Sequence, residues 1–296
     1  MREHAEVFRA LGSLVEPPIP TLAPVARALG LPALPDATEH SELFLFQLYP
    51  YASVYTGVEG MLGGDAADRV AGFWRAVGMV PPAEPDHLGV LLALHAGLIE
   101  AELREPHKAH RKMRREARKA LLWEHLLSWL PVYLDKLDEL GGDFYRSWGD
   151  LLTAALFEEA DELGPPDLLP LHLRTTPGLP SVDSGAAELL PAILAPARSG
   201  LLLTRLDLAR GAASIGVGLR MGERRFVLES MLGQDASGTL GWLAGEARAW
   251  EQRHLRKSEL LGPIAEHWAR RAAAAGDFFV SSSEAVKEVV AGGAGR

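Results

Sequence analysis

Nowhere does this chain alternate β-branched and polar residues with the two-residue period that a half-buried strand needs. Apolar residues return instead at three- and four-residue intervals. Ala, Leu, Glu and Arg are plentiful, while Val and Ile are sparse. Such a pattern specifies amphipathic helices, and frequent Pro and Gly residues punctuate it. The expected fold class is therefore all-α, a helical bundle. At 296 residues, 48% of them hydrophobic, the chain is long enough for one large domain or two ordinary ones.

The helix boundaries follow from caps and breakers. A first helix is expected over Glu3–Val15, stopped by Pro17-Pro18, and a short one from Pro20 to Gly30. Thr38 is the expected N-cap of a helix reaching Tyr49-Pro50, and Asp65 that of a helix ended by Gly78. Glu84-Pro85-Asp86 is read as opening a helix that carries Leu88, Leu91, Leu92, Leu94, Leu98 and Leu103. Leucine around most of its circumference places that helix at the centre of the bundle. A long helix is expected from His107 to Leu130, restarted or bent at Pro131, and another over Asp143–Glu162. Helices should resume after Ser184, Thr204 and Gly222, then over 236–255 and 258–275, with a frayed end from Ala291.

Three regions result: a helical domain over 1–163, a Pro/Gly-rich linker or draped loop over 164–184, and a C-terminal helical region over 185–296. Glu59–Ala66 echoes Glu229–Ala236, which either duplication or chance explains.

Composition narrows the chemistry. The chain has no cysteine, so disulfides, thiolate metal sites and a cysteine nucleophile are excluded. There is no Walker loop, GxSxG elbow, dinucleotide fingerprint or HExxH. Gly216-Val217-Gly218 follows a helical pattern, not a strand. The expectation is a non-enzyme with no cofactor and no metal site. Neither a membrane span nor a secretory h-region is apparent, so a cytoplasmic location without stable membrane insertion is expected. The net charge of −9 argues against nucleic acid, whose phosphates need Lys and Arg.

One feature runs the other way: Arg104, Lys108, Arg111, Lys112, Arg114, Arg115, Arg118 and Lys119. On a helix these residues cover several faces, which suits a solvated surface with pairing to nearby acids. The alternative is a nucleic-acid-binding regulator using helix 104–119.

Three stretches together resemble the TorD/DmsD/NarJ family of molybdoenzyme-maturation chaperones. The first is Tyr49-Pro50-Tyr51-Ala52-Ser53-Val54-Tyr55, followed by Gly57, Gly63 and a helix with Phe73. The second is Glu84-Pro85-Asp86-His87-Leu88, running into Leu91, Leu94 and Leu98. The third is Glu124-His125-Leu126-Leu127-Ser128-Trp129-Leu130-Pro131. The resemblance spans about Ser41 to Glu162. In the helix after Asp86-His87 this chain has Leu91-Leu92-Ala93-Leu94-His95, where relatives often carry an acidic residue and a Phe-Met pair.

What the resemblance implies is a TorD-like bundle with an additional C-terminal region. It also implies a partner, the apo catalytic subunit of a molybdopterin oxidoreductase, held through its twin-arginine signal peptide or another part until its cofactor is loaded. A monomer and a homodimer are both compatible with it. The implied client-peptide-binding residues are Asp86, His87, His125, Trp129 and Pro131, joined by Tyr51, Tyr55, Trp74 and Glu84.

The physical case for these residues is that such a peptide is basic at one end and apolar along its middle. Aromatic side chains supply rigid apolar surface, and Glu84 and Asp86 suit guanidinium groups. Each residue also has a plainer reading. Trp and Tyr at helical spacing are commonly core, Asp86 suits a helix N-terminus, and His87 suits a structural hydrogen bond.

Overall fold

The computed structural model describes residues 2–181 and 184–293, with side chains described as far as Glu288. It is all-α: among the described residues there is no strand, only an isolated antiparallel bridge between Tyr51 and His87. The chain divides into two compact units, residues 1–56 with 62–171, and residues 57–61 with 172–296.

The first unit contains α1 (Arg2–Ser13), α2 (Ala23–Ala28), α3 (Ala37–Ser41), α4 (Ala52–Thr56), α5 (Gly64–Ala76), α6 (Leu88–Arg104), α7 (Lys108–Ala120), α8 (Leu130–Leu140) and α9 (Asp143–Leu163). Leu88, Leu91, Leu92, Leu94, Leu98 and Ile99 of α6 are buried, so this helix is central as expected; Leu103, near its end, is exposed. Helix α1 crosses it at a glycine pair. A Cβ on Gly12 would meet the Gly89 carbonyl oxygen at 2.8 Å, and one on Gly89 the Gly12 oxygen at 2.7 Å. Only glycine allows so close an approach of two backbones. The Trp148 indole of α9 donates to the Leu11 carbonyl (3.1 Å), tying a third helix to the end of α1.

Several boundaries differ from expectation for local reasons. Asp36, not Thr38, caps α3, its carboxylate accepting the N–H groups of Thr38 and Glu39 at 2.8 Å. Asp65 lies inside the first turn of α5, whose cap position is Gly63. The expected helix from His107 to Leu130 relaxes after α7 into a wide π turn at Leu121–Leu126 and stops before α8, where Pro131 sits in the first turn. There its missing N–H leaves no hydrogen bond unmade.

The Pro/Gly-rich stretch is held by side chains at both ends. The Trp123 indole donates to Gly164 O at 2.9 Å, and Glu124 accepts the Leu171 N–H at 2.6 Å. Further on, α10 (Leu171–Thr175) forms within the stretch, Arg198 donates to Gly178 O and Arg271 to Thr176 O. Val182 and Asp183 lie outside the described residues.

The second unit continues with α11 (Ala186–Leu194), α12 (Pro196–Ser199), α13 (Arg205–Ile215), α14 (Arg224–Gln234), α15 (Ala236–Leu255), α16 (Ser258–Leu261) and α17 (Pro263–Gly293). Thr204 and Asp207 form the capping box that opens α13. Helices α15 and α17 run antiparallel: Ser237 meets Ser283 (3.1 Å) at one end, and His254 faces Trp268 (5.8 Å between ring centroids) at the other. Buried Ala244, Ala247, Ala272 and Ala275 let the two helices lie close together.

Helix α17 extends beyond the expected end at residue 275. It remains helical through Gly293 where fraying was expected from Ala291, and Ala294–Arg296 lie outside the described residues. The echo between 59–66 and 229–236 is not one of conformation. Residues 229–234 are helical, whereas 59–63 form turns with Gly60 and Gly63 at positive φ.

Candidate functional site

Residues 50–53 and 86–88 are clipped together. Leu88 N–H donates to Pro50 O (2.8 Å) and Ala52 N–H to Asp86 O (3.0 Å). The Asp86 carboxylate then accepts the Ser53 N–H at 2.9 Å. Asp86 thus caps α4, 33 residues earlier in the chain, rather than the helix it was read as opening. That helix starts at Leu88, and the His87 side chain makes no cap bond there. Only 3% of Asp86 is exposed, so its carboxylate meets backbone and not solvent. Asp86→Ala is expected to cost about 1–2 kcal/mol in chemical denaturation, with far-UV circular dichroism of the native state unchanged.

Helix α4 carries the clip inward. Tyr55 stacks on Trp129 (5.0 Å, 9° between planes), and both lie edge-on to Tyr133 (5.5 Å each). Tyr55 donates to Tyr49 O (2.7 Å) and Trp129 to His125 O (2.8 Å). Tyr55, Trp129 and Pro131 are buried. In this conformation the three side chains pack inside the helices and do not line an open trough. Trp129 is sealed because the chain turns at Leu127–Trp129 before α8 and folds the indole under α4. His125 is half-buried against Phe73 (5.0 Å). Burial, and then the charge of Arg69, pull its pKa down to about 4.

The accessible members, Tyr51, Trp74 and Glu84, cluster beside the clip around His87, which is buried. Tyr51 lies edge-on to His87 (4.9 Å), and His87 Nδ1 is 3.6 Å from Glu16 Oε1. Burial pushes the Tyr51 phenol up to about 12, with a hydrogen bond to Glu84 adding to it. Burial lowers the His87 pKa against the pull of Glu16, Glu84 and Asp86, so its imidazole is neutral at pH 7. Glu84 is exposed and Glu16 is 56% exposed. Half-buried Trp74 donates to Pro85 O at 3.2 Å. The result is a patch of two solvent-exposed carboxylates around a tyrosine, braced by an indole. Glu16 was missing from the residues singled out in sequence; it precedes Pro17-Pro18 and belongs to no motif.

The basic stretch resolves differently. Arg118 is fully buried and engages Glu102 (2.8 Å), Glu162 (3.0 Å) and Glu159. Arg115 reaches Glu162 (3.1 Å) and Glu102 (3.4 Å), Arg114 reaches Glu105 (3.0 Å), and Arg104 reaches Glu100 (2.8 Å). Arg111 donates to Glu105 O (2.8 Å), and Lys119 approaches Asp167 (3.9 Å). Five of the eight cations therefore already face carboxylates and Arg111 is held by a backbone carbonyl, which leaves little for phosphates to neutralise.

His95 Nε2–H donates to Glu159 at 2.8 Å inside the same cluster. Burial pushes the Glu159 carboxyl up, but His95 and Arg118 outweigh it and hold the pKa at about 2. His4, Glu159 and Glu162 bring ligand atoms within 4.8 Å of one another. Yet the Arg115 and Arg118 guanidinium groups lie on those carboxylates, so a metal cation would meet two positive charges there.

Among the described residues no helix is long and apolar enough to cross a membrane. Residues 13–135 match the nitrate reductase delta subunit family. The "Chaperone protein TorD" of two strains of Vibrio vulnificus, YJ016 and CMCP6, is 31% identical over 121 residues in each case. That alignment covers 38% of this chain and 55% of each relative, so the chain spans about half the length of the curated relatives it matches. No solved structure matches.

Proposed function

We propose, from the premise that residues 13–135 belong to the TorD/DmsD/NarJ family of molybdoenzyme-maturation chaperones, that the whole chain is a cytoplasmic, non-catalytic chaperone. Its client is the apo catalytic subunit of a molybdopterin oxidoreductase, bound through its basic signal peptide and held until the cofactor is inserted. The observation that carries this reading is the acidic patch of Glu16, Tyr51 and Glu84 at the family-matched clip. Two carboxylates beside a half-buried tyrosine suit a pair of guanidinium groups, each able to take forked hydrogen bonds. Trp74 offers apolar surface next to them. The buried Asp86, Tyr55 and Trp129 position the patch and do not touch the client.

The test is titration of the client's signal peptide, followed by calorimetry. The wild-type chain should bind in the micromolar range, and Glu16→Gln with Glu84→Gln should weaken binding about tenfold and flatten its salt dependence. Replacing the peptide's paired arginines by lysine should cost a similar factor. Equal binding by the doubly substituted chain would remove the patch from the reading.

A further inference from the structure

Outside the family-matched segment, the second unit holds a cavity of about 680 Å³. It is walled by Leu189 and Ile193 of α11, Leu232 of α14, Leu240 of α15, and Phe278 and Val286 of α17. Leu189, Leu232, Phe278 and Val286 are each only half-buried, so apolar surface stands open in a unit otherwise able to bury it. The size is that of a working binding site. Lining residues on α17 run from Asp277 to Val286, a span of about 14 Å or two and a half turns. That is the length over which an apolar helix face lies in a groove, presenting residues at i, i+3, i+4 and i+7.

Charge selects the occupant. Within three residues of a lining side chain the sequence places six carboxylates, Glu188, Glu229, Asp235, Asp277, Glu284 and Glu288, against one cation, Lys287. Asp277 itself lines the cavity and is exposed. A free fatty acid would set its carboxylate against Asp277. A peptide with an apolar helical face and flanking arginines would find both halves matched.

We infer that the groove between α11, α14, α15 and α17 is a second peptide site, which takes an apolar helix with cationic flanks from the client. The identity of the client rests on the reading above, but the groove's chemistry does not.

The probe is a fluorescein-labelled peptide in which two arginines precede an alanine–leucine helix of about three turns, read by anisotropy on the full chain. Ala285 is exposed and lines the groove, so Ala285→Trp fills it without disturbing a buried contact. Binding to wild type should be weakened at least about tenfold by Ala285→Trp and by Phe278→Ser, with circular dichroism showing both still helical. Asp277→Asn should weaken it about threefold and reduce its salt dependence. The measurements are made in a Glu16→Gln, Glu84→Gln background, so that the patch on the other unit does not take the probe, and Arg146→Gln, exposed on α9, should leave them unchanged.

Equal binding by wild type and Ala285→Trp overturns the site, as does equal binding of a peptide whose arginines are replaced by glutamates. Sedimentation velocity supplies a further arm: a wild-type dimer that Ala285→Trp converts to monomer would assign the groove to a second copy of the chain and overturn the peptide site. Capture of the purified apo catalytic subunit is measured alongside. No capture by wild type would end the chaperone reading and leave the groove to the synthetic peptide. Full capture together with groove-independent peptide binding would end only the groove.

Discussion

Replacing Arg118 with methionine is expected to lower the stability of the first unit by about 3–5 kcal/mol, the usual cost of removing one partner from a buried ion pair. Arg118 joins Glu102 of α6 to Glu159 and Glu162 of α9, and it reaches them from α7. Methionine fills much of the space but leaves Glu159 without its cation in a site where it is fully buried. A melting temperature lower by on the order of 10 °C should be seen for a unit of this size. Hydrogen exchange should speed up in α6, α7 and α9 before it does elsewhere. Unchanged exchange in those three helices would mean that the cluster holds nothing together.

The same cluster sets the response to acid. Glu159 has a folded pKa of about 2, below the ordinary carboxyl range, so its contribution is present above about pH 4.5 and is lost as pH falls toward 2. His125 and His254 are lowered to about 4 by burial. The unfolded chain then takes up protons first, and stability falls as pH drops from about 6.5 to 4. Thermal melts across pH should therefore decline in two stages. Arg118→Met should flatten the lower one, because the carboxyl it leaves behind is no longer held ionised.

Gly200→Ala is expected to damage the second unit severely. Gly200 closes α12 at φ +77°, where an L side chain is strained by about 1–3 kcal/mol. The new Cβ would also come within 2.9 Å of the Ala272 Cα in α17. That neighbour is backbone and cannot rotate away, and the Gly200 carbonyl also accepts a hydrogen bond from His254 at 2.9 Å. Strain and overlap together predict a loss of about 3 kcal/mol or more, measured by urea unfolding, with tryptophan emission near Trp250 and Trp268 as the local probe. A variant as stable as the parent would show that α12 is free to withdraw from α17.

Much of the helical order was readable because prolines, glycines and caps act locally. Thr204, Gly78 and the run from Ala236 to Leu255 behave as their chemistry dictates. The family match likewise rests on contiguous motifs. What could not be read was which partner each polar residue would find. Asp86 looks like the cap of the helix beside it and serves another, 33 residues earlier. Arg118 looks like one more cation on a solvated face, yet the three carboxylates around it come from α6 and α9. Glu16 joins the accessible patch only because His87 is folded against it. Nor does any motif announce that the Trp-Leu-Pro turn tucks its indole under Tyr55.

The clasp at Asp86 has a bearing on genetics. On the proposed function, a screen that scores failed enzyme maturation will flag this aspartate, and it will do so whether or not any client ever comes near it. Loosening the clasp would shift the Tyr51 edge and unsettle the indole beneath it, so the defect would travel to the proposed recognition surface from behind. Only suppressors that tighten α4 from elsewhere, restoring maturation without restoring the carboxylate, would separate a hinge pin from a handshake.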